Sequence, residues 1–258
     1  MKNGAEMQSV RFEAAIGRMS DTYESLGIGN GPTHAVQFYD DDDFLVACVG
    51  DFLAAGMSVG QPVVAVTTEA HRLGIIDHLS ERGFDVKRAA QRGMLVLVDA
   101  EALLDSFMRD GRPNPELCRA AVGGVLGAYQ TRIPRVRVRM FGEMVDLLCR
   151  AGNIEGALAL EEMWNEFASS YSFSLLCGYS MRTFGRESHK GSVAAICDKH
   201  AHVIPTESYL EVELGSRMRE IALLQQRAQA LDSELSRRDE IESSLRVALS
   251  TAEARVRD

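Results

Sequence analysis

The sequence lacks the features that mark several common classes of protein. No apolar run approaches the roughly 18 residues of a membrane span, and charges interrupt the N-terminal segment where a secretory signal needs an apolar core. The five cysteines are odd in number, scattered and without a CxxC pair, which is typical of reduced thiols. Only 4 of the 28 basic residues are lysine and the formal net charge is −9, so the positive field of a nucleic-acid binder is missing. We therefore expect a cytoplasmic protein that contacts neither membranes nor nucleic acid directly.

Motifs of common nucleotide-binding and hydrolytic enzymes are also missing. A phosphate-binding loop of the GxxxxGK[ST] type needs a Gly-Lys dipeptide, and the sequence has none; nor does it have the GxSxG elbow of a hydrolase. Four consecutive aspartates occupy residues 40–43, at the strand-to-helix turn where such a phosphate loop would lie. Carboxylates there suit the helix dipole but repel a triphosphate. The turn argues against ATP hydrolysis, and we predict no catalytic residue and no enzymatic activity.

Three zones follow one another along the chain. Residues 1–31 are predicted to be a flexible or weakly helical arm that ends in a glycine-rich joint at 27–32. Residues 32–206 alternate short apolar runs with amphipathic stretches, which predicts an α/β domain with a mostly parallel sheet flanked by helices. The predicted strands are 35–39, 62–67, 94–99, 136–141 and 173–179. Ligands of such sheets bind beyond the carboxyl ends of the strands.

Residues 207–258 are predicted to form a coiled-coil helix. With Leu214 as position a, ten of the 13 a and d positions are apolar in one unbroken register. Arg217, Arg238 and Glu242 are the exceptions, and the last two are spaced to pair with each other. We favour a parallel homodimer over a single helix packed back on the domain.

Two groups of polar residues are candidates for chemistry. Arg135, Arg137 and Arg139 alternate with apolar residues, so they lie on one face of a strand that is either partly solvated or an anion clamp. Arg139 is predicted to lie nearest the strand end and therefore nearest the ligand crevice. Glu143 is predicted to lie at the same end, so Arg139 could pair with Glu143 instead of binding a ligand.

Three possible metal ligands fall within six residues near the end of the domain. They are Cys197, His200 and His202, and Cys177 is a possible fourth. The paired CxxC or HxxxH spacings of zinc sites are absent, so we expect no metal and no cofactor.

Six phrases in order resemble the MEDS domain, the methanogen/methylotroph sensory domain named after the dichloromethane-responsive regulator DcmR. They are His34-Ala-Val-Gln-Phe-Tyr39, Val63-Val-Ala-Val-Thr-Thr-Glu-Ala-His-Arg72, Arg139-Met-Phe-Gly-Glu-Met-Val145, Ala159-Leu-Glu-Glu-Met-Trp-Asn165, Leu175-Leu-Cys-Gly-Tyr179, and Ile196-Cys-Asp-Lys-His200 with Val203-Ile-Pro205. The resemblance covers about residues 33–207. It implies a RecA/KaiC-like fold whose phosphate loop has degenerated, which agrees with the missing Gly-Lys dipeptide.

The resemblance also implies a function, which is the sensing of a small organic compound in prokaryotic signal transduction. We expect the ligand to contact some of His34, Tyr39, His71, Arg139, Glu143, Cys177 and Tyr179. Such domains are joined to histidine-kinase, anti-sigma-type or transcription-regulator modules, so we expect an output module of this kind in cis or in trans. A residual nucleotide-binding enzyme and a scaffold that binds only protein are the rival hypotheses.

Overall fold

The computed structural model of the chain divides it into two compact units, residues 1–211 and 212–258. This division lies close to the boundary predicted after residue 206. The described residues are 17, 19, 22–24, 26–29, 31–132, 136–185, 191–210, 223–228, 230–231, 233–239 and 241–246. Arg135 and the a positions Leu214, Leu249 and Val256 lie outside them.

A six-stranded parallel sheet forms the centre of the first unit. Its strands are β1 (Thr33–Tyr39), β2 (Val63–Thr67), β3 (Leu95–Asp99), β6 (Val138–Gly142), β7 (Phe173–Ser180) and β8 (His202–Ile204), in the order β3-β2-β6-β7-β1-β8. A separate hairpin pairs β4 (Met108–Arg109) with β5 (Arg112–Pro113). The predicted parallel α/β architecture is confirmed, and the sequence pattern missed the short edge strand β8.

Helices cover both faces of this sheet. They are α1 (Asp42–Ser58), α2 (Glu69–Glu81), α3 (Val86–Gln91), α4 (Ala100–Phe107), α5 (Pro115–Arg132), α6 (Met144–Arg150), α7 (Ile154–Ser170), α8 (Ser192–Cys197) and a short turn α9 (Glu207–Leu210). One apolar core packs beneath α1 and α2, and a second packs beneath α4 to α7. The strands are near-continuous apolar runs because each contributes alternate side chains to the two cores.

The described part of the N-terminal arm packs against the domain. Met19, Tyr23 and Ile28 are buried in the core under α1, and the Tyr23 hydroxyl donates to Gln37 Oε1 at 3.1 Å. Gly29 has a φ of +91°, and a Cβ at this position would lie 2.5 Å from Cζ of Arg139. Only glycine fits this turn, because the guanidinium of the buried Arg139 lies against it.

The described residues from 223 to 246 of the second unit are helical, as predicted. Among the described residues of the whole chain, no helix combines the length and apolar composition that a membrane span needs. Glu242 binds Arg246 at 3.0 Å, one turn further along the helix, and not Arg238 as the spacing allowed.

Candidate functional site

A buried glutamate organises the polar groups at the carboxyl ends of the central strands. Glu143 follows β6 directly and is 1% exposed. Its carboxylate accepts hydrogen bonds from the Thr67 hydroxyl and the Thr68 backbone N–H, both at the end of β2. Its second oxygen lies 2.6 Å from Nδ1 of His71, on the first turn of α2. Three elements therefore converge on one carboxylate.

The contact between Glu143 and His71 favours the charged form of each side chain. Burial opposes ionisation of both groups, but their mutual hydrogen bond and charge outweigh it, so the pKa of Glu143 is lowered and that of His71 is raised. The other ring nitrogen, Nε2 of His71, lies 3.5 Å from Asp42 Oδ1, and the Asp42 side chain is 63% exposed. The His71 ring thus joins buried Glu143 to an exposed carboxylate at the edge of the sheet.

A second layer of polar groups lies beside this pair. The Tyr39 hydroxyl, at the end of β1, accepts from Arg150 Nη2 at 2.8 Å. Arg150 Nε in turn lies 2.6 Å from Asp146, whose other oxygen accepts from the Ser180 backbone N–H at 3.1 Å. Burial raises the pKa of Asp146 to about 6 although Arg150 opposes the shift. These contacts join the carboxyl ends of β1 and β7, as the contacts of Glu143 join those of β2 and β6.

Carboxylates fill the β1–α1 turn, where a phosphate loop would bind phosphate. Asp41 caps α1 by accepting from the Phe44 backbone N–H at 2.9 Å. One residue before Asp41, the backbone N–H of Asp40 donates to both carboxylate oxygens of Glu207, each at 3.2 Å. Glu207 is the first residue of α9 and stands at the start of the segment predicted to form the signalling helix.

Arg139 takes no part in these contacts, which corrects its predicted location. It is the second residue of β6 and pairs with Val63, the first residue of β2, so it lies at the amino edge of the sheet. Its guanidinium donates to Gln61 Oε1 at 2.7 Å and to the Phe52 carbonyl at 3.2 Å, and it packs over the Phe52 ring. It therefore neither pairs with Glu143 nor faces the ligand crevice, and its contacts hold the fold together.

The remaining predicted residues lie on the opposite face of the sheet, under α7. His34, Cys177 and Tyr179 surround the fully buried carboxylate of Glu161. His200 joins them, with Nε2 3.4 Å from Glu161 Oε1. The potential metal ligands among the described residues that come together are His34, Glu161, Cys177 and His200. Cys197 and His202, which local spacing had made candidates beside His200, do not belong to this group.

The seven predicted ligand residues therefore occupy three places. Tyr39, His71 and Glu143 share the carboxyl edge under α1 and α2, Arg139 lies at the amino edge, and the other three lie under α7. Sequence reasoning missed Glu161, Asp146, Arg150 and Glu207. The sequence pattern could have identified Glu161. It lies one helical turn after Ala157, so this charged residue falls on the apolar, buried face of α7.

The fold is that of an α/β domain with a parallel sheet. Its β1–α1 turn carries carboxylates at the place where a glycine-rich phosphate loop would lie. The chain belongs to the MEDS family, described as the methanogen/methylotroph DcmR sensory domain, whose family model matches residues 33–200. It is also similar to a solved structure, the flagellar accessory protein FlaH from Methanocaldococcus jannaschii. That likeness has a TM-score of 0.43 at 12% identity and covers 72% of this chain and 76% of the other. No match to a curated protein was found.

Proposed function

We propose that the chain is a cytoplasmic sensor that binds a small organic molecule at the carboxyl edge of its sheet. Membership of a sensory-domain family supports the sensory role. The observation that carries the proposed location is the contact between Glu143 and His71, whose second ring nitrogen lies 3.5 Å from exposed Asp42. Parallel α/β sheets bind their ligands at this edge.

The chemistry of the edge favours a small oxygenated or halogenated molecule over a nucleotide. His71 supplies a polarised N–H donor, and Asp42 supplies an exposed acceptor beside it. The carboxylates of Asp41 and Glu207 already hold the backbone N–H groups that would bind a phosphate. We therefore propose a binding role without catalysis.

The contact between Glu207 and Asp40 offers a route for the signal. Asp40 and Asp42 belong to the same turn, so a ligand that replaces the contact between Asp42 and His71 would move the backbone N–H that holds Glu207. Glu207 opens the segment 207–258. The ligand would act by binding one arrangement of this turn better than the other.

The proposed signalling form is a homodimer through residues 207–258. Leu224, Leu231, Leu235 and Leu245 occupy a or d positions, and each is between 47% and 65% exposed in the single chain. A second copy in register would cover this stripe, as in parallel coiled coils. The output module, in cis or in trans, would be a histidine kinase, an anti-sigma-type protein or a transcription regulator.

A binding screen on three proteins tests the ligand site. Methanol, acetone, formate, acetate and dichloromethane are titrated by calorimetry into the wild type, His71→Gln and His78→Gln. We expect at least one compound to bind the wild type and His78→Gln, and to bind His71→Gln at least tenfold more weakly, because His78 shares α2 but pairs with Asp51. A bound compound should also raise the melting temperature.

Two results would contradict the proposed function. One is the absence of saturable binding by the whole panel. The other is micromolar binding of ATP with Mg²⁺, which would favour the nucleotide-binding rival. Equal affinity of wild type and His71→Gln for a binding compound would overturn the location of the site.

A further inference from the structure

Four buried side chains under α7 bring nitrogen, oxygen and sulfur donors to one point. They come from four separate parts of the fold, namely His34 on β1, Glu161 on α7, Cys177 on β7 and His200 just before β8. Each is at most 9% exposed. One donor atom from each side chain lies within 4.8 Å of the donor atoms of the other three.

Hydrogen bonds fix which nitrogen of each imidazole carries the proton. Nδ1 of His34 lies 2.9 Å from Asn165 Oδ1, and the Asn165 amide nitrogen donates to the Lys199 carbonyl at 3.0 Å, so the oxygen must face the ring. Nδ1 of His200 lies 2.7 Å from the Ile196 carbonyl, which can only accept. Both Nδ1 atoms are therefore donors, and in neutral rings both Nε2 atoms present lone pairs to the cluster. Metal-binding histidines are oriented in this way.

The two Nε2 atoms face the Glu161 carboxylate, which accepts from the Tyr179 hydroxyl at 2.7 Å. His34 Nε2 lies 3.0 Å from one oxygen of Glu161, and His200 Nε2 lies 3.4 Å from the other without a hydrogen bond to it. The Cys177 sulfur lies 3.4 Å from His34 Nε2 and 3.8 Å from Glu161. A cation at the centre would satisfy all four groups.

The spacing matches that of a tetrahedral transition-metal site. Zn²⁺ bonds of about 2.0–2.3 Å place neighbouring ligand atoms about 3.3–3.7 Å apart. Among His34 Nε2, Cys177 Sγ and Glu161 Oε2 the distances are 3.0, 3.4 and 3.8 Å. His200 Nε2 lies 3.4 Å from the other Glu161 oxygen, and all four donor atoms lie within 4.8 Å of one another. Small side-chain movements suffice to admit the ion. Nitrogen and thiolate donors select this class of metal over Ca²⁺ and Mg²⁺.

We infer that His34, Glu161, Cys177 and His200 bind one divalent transition-metal ion of the zinc type. Binding converts the Cys177 thiol to a metal-bound thiolate and releases its proton to solvent. All four positions are filled by protein, as in structural sites, so the ion has no open position for a substrate. Its effect is mechanical. It ties the turn before β8, which leads toward Glu207, to the central strands β1 and β7.

Cobalt titration of the chelator-treated full chain tests this inference. Co²⁺ should bind with one ion per chain and give the visible absorption of a tetrahedral site together with a thiolate charge-transfer band. Cys177→Ser should lose that band, whereas Cys197→Ser should keep it. Cys197 is the matched control because it is the more accessible thiol and lies only three residues from His200.

Zinc affinity and stability provide the second readout. Zn²⁺ should raise the melting temperature of the wild type and of Cys197→Ser, and His200→Gln should weaken zinc binding by at least about 100-fold. Asn165→Ala should weaken it by about 10–100-fold, because Asn165 orients His34. No tetrahedral cobalt spectrum in the wild type would overturn the inference. So would a charge-transfer band that survives Cys177→Ser or disappears in Cys197→Ser, since the ion would then sit elsewhere.

Discussion

Replacing Leu231 by aspartate should convert the protein from a dimer to a monomer. Leu231 is at a d position and is 65% exposed in the single chain, so in a coiled coil it would lie in the seam. The aspartate would place two carboxylates opposite each other in an apolar seam, without a partner of opposite charge. We expect the dissociation constant of the dimer to rise at least 100-fold, which corresponds to about 2.7 kcal/mol of association free energy.

Sedimentation of the full chain measures this effect against a matched control. Leu223→Asp changes a neighbouring leucine of similar exposure, 52%, that falls at a c position on the outside of the coil. It should leave the dimer intact. A wild type that is monomeric at all concentrations would refute the dimer, and equal effects of the two substitutions would refute the predicted register.

Replacing Glu143 by alanine should lower the free energy of unfolding by about 3–5 kcal/mol near pH 5.5. The change leaves the His71 imidazolium, the Thr67 hydroxyl and the Thr68 N–H without their buried acceptor. Glu69→Ala is the control, because this carboxylate stands on the same helix, α2, with its side chain 77% exposed. It should cost less than about 0.5 kcal/mol.

The cost of Glu143→Ala should also depend on pH. The folded pKa of Glu143 is lowered, so its contribution is present above the ordinary value of 4.5 and is lost as the pH falls through the folded value. The folded pKa of His71 is raised, so its contribution is present below 6.5 and is lost as the pH rises through the folded value. Denaturant unfolding should show the largest difference between wild type and variant at pH 4.5–6.5. A difference that does not vary with pH would show that the pair is not ionised.

The five longer strands of the central sheet could be predicted because their signals are local. Apolar runs marked β1, β2, β3, β6 and β7, and each was placed within about two residues of its observed bounds. The strand β8 has only three residues and lies at the edge of the sheet, where it pairs with β1 alone. No apolar run therefore marks it in the sequence. Helices α3 and α8 are six residues long and gave equally little periodicity.

Part of the candidate site was predictable in its residues, but its grouping was not. Glu143 and His71 were identified individually, yet 72 residues separate them in sequence, and only the adjacency of β2 and β6 brings them together. Arg139 was misplaced because alternation reveals the face of a strand but not where the strand ends. The strand begins at Val138 and continues to Gly142, so Arg139 lies near its start.

The most direct test of the proposed signalling is to measure the distance between the two C-terminal helices of the proposed dimer with and without ligand. A nitroxide label is attached at Leu223→Cys in a Cys197→Ser background, because the other four cysteines are buried. Pulsed electron spin resonance then compares the free protein with the protein bound to the panel compound of highest affinity. We predict that the distance between the two labels changes by about 2–5 Å, and that Glu207→Ala abolishes the change while binding persists. An identical distance distribution with and without a calorimetrically bound compound would contradict signalling through this helix.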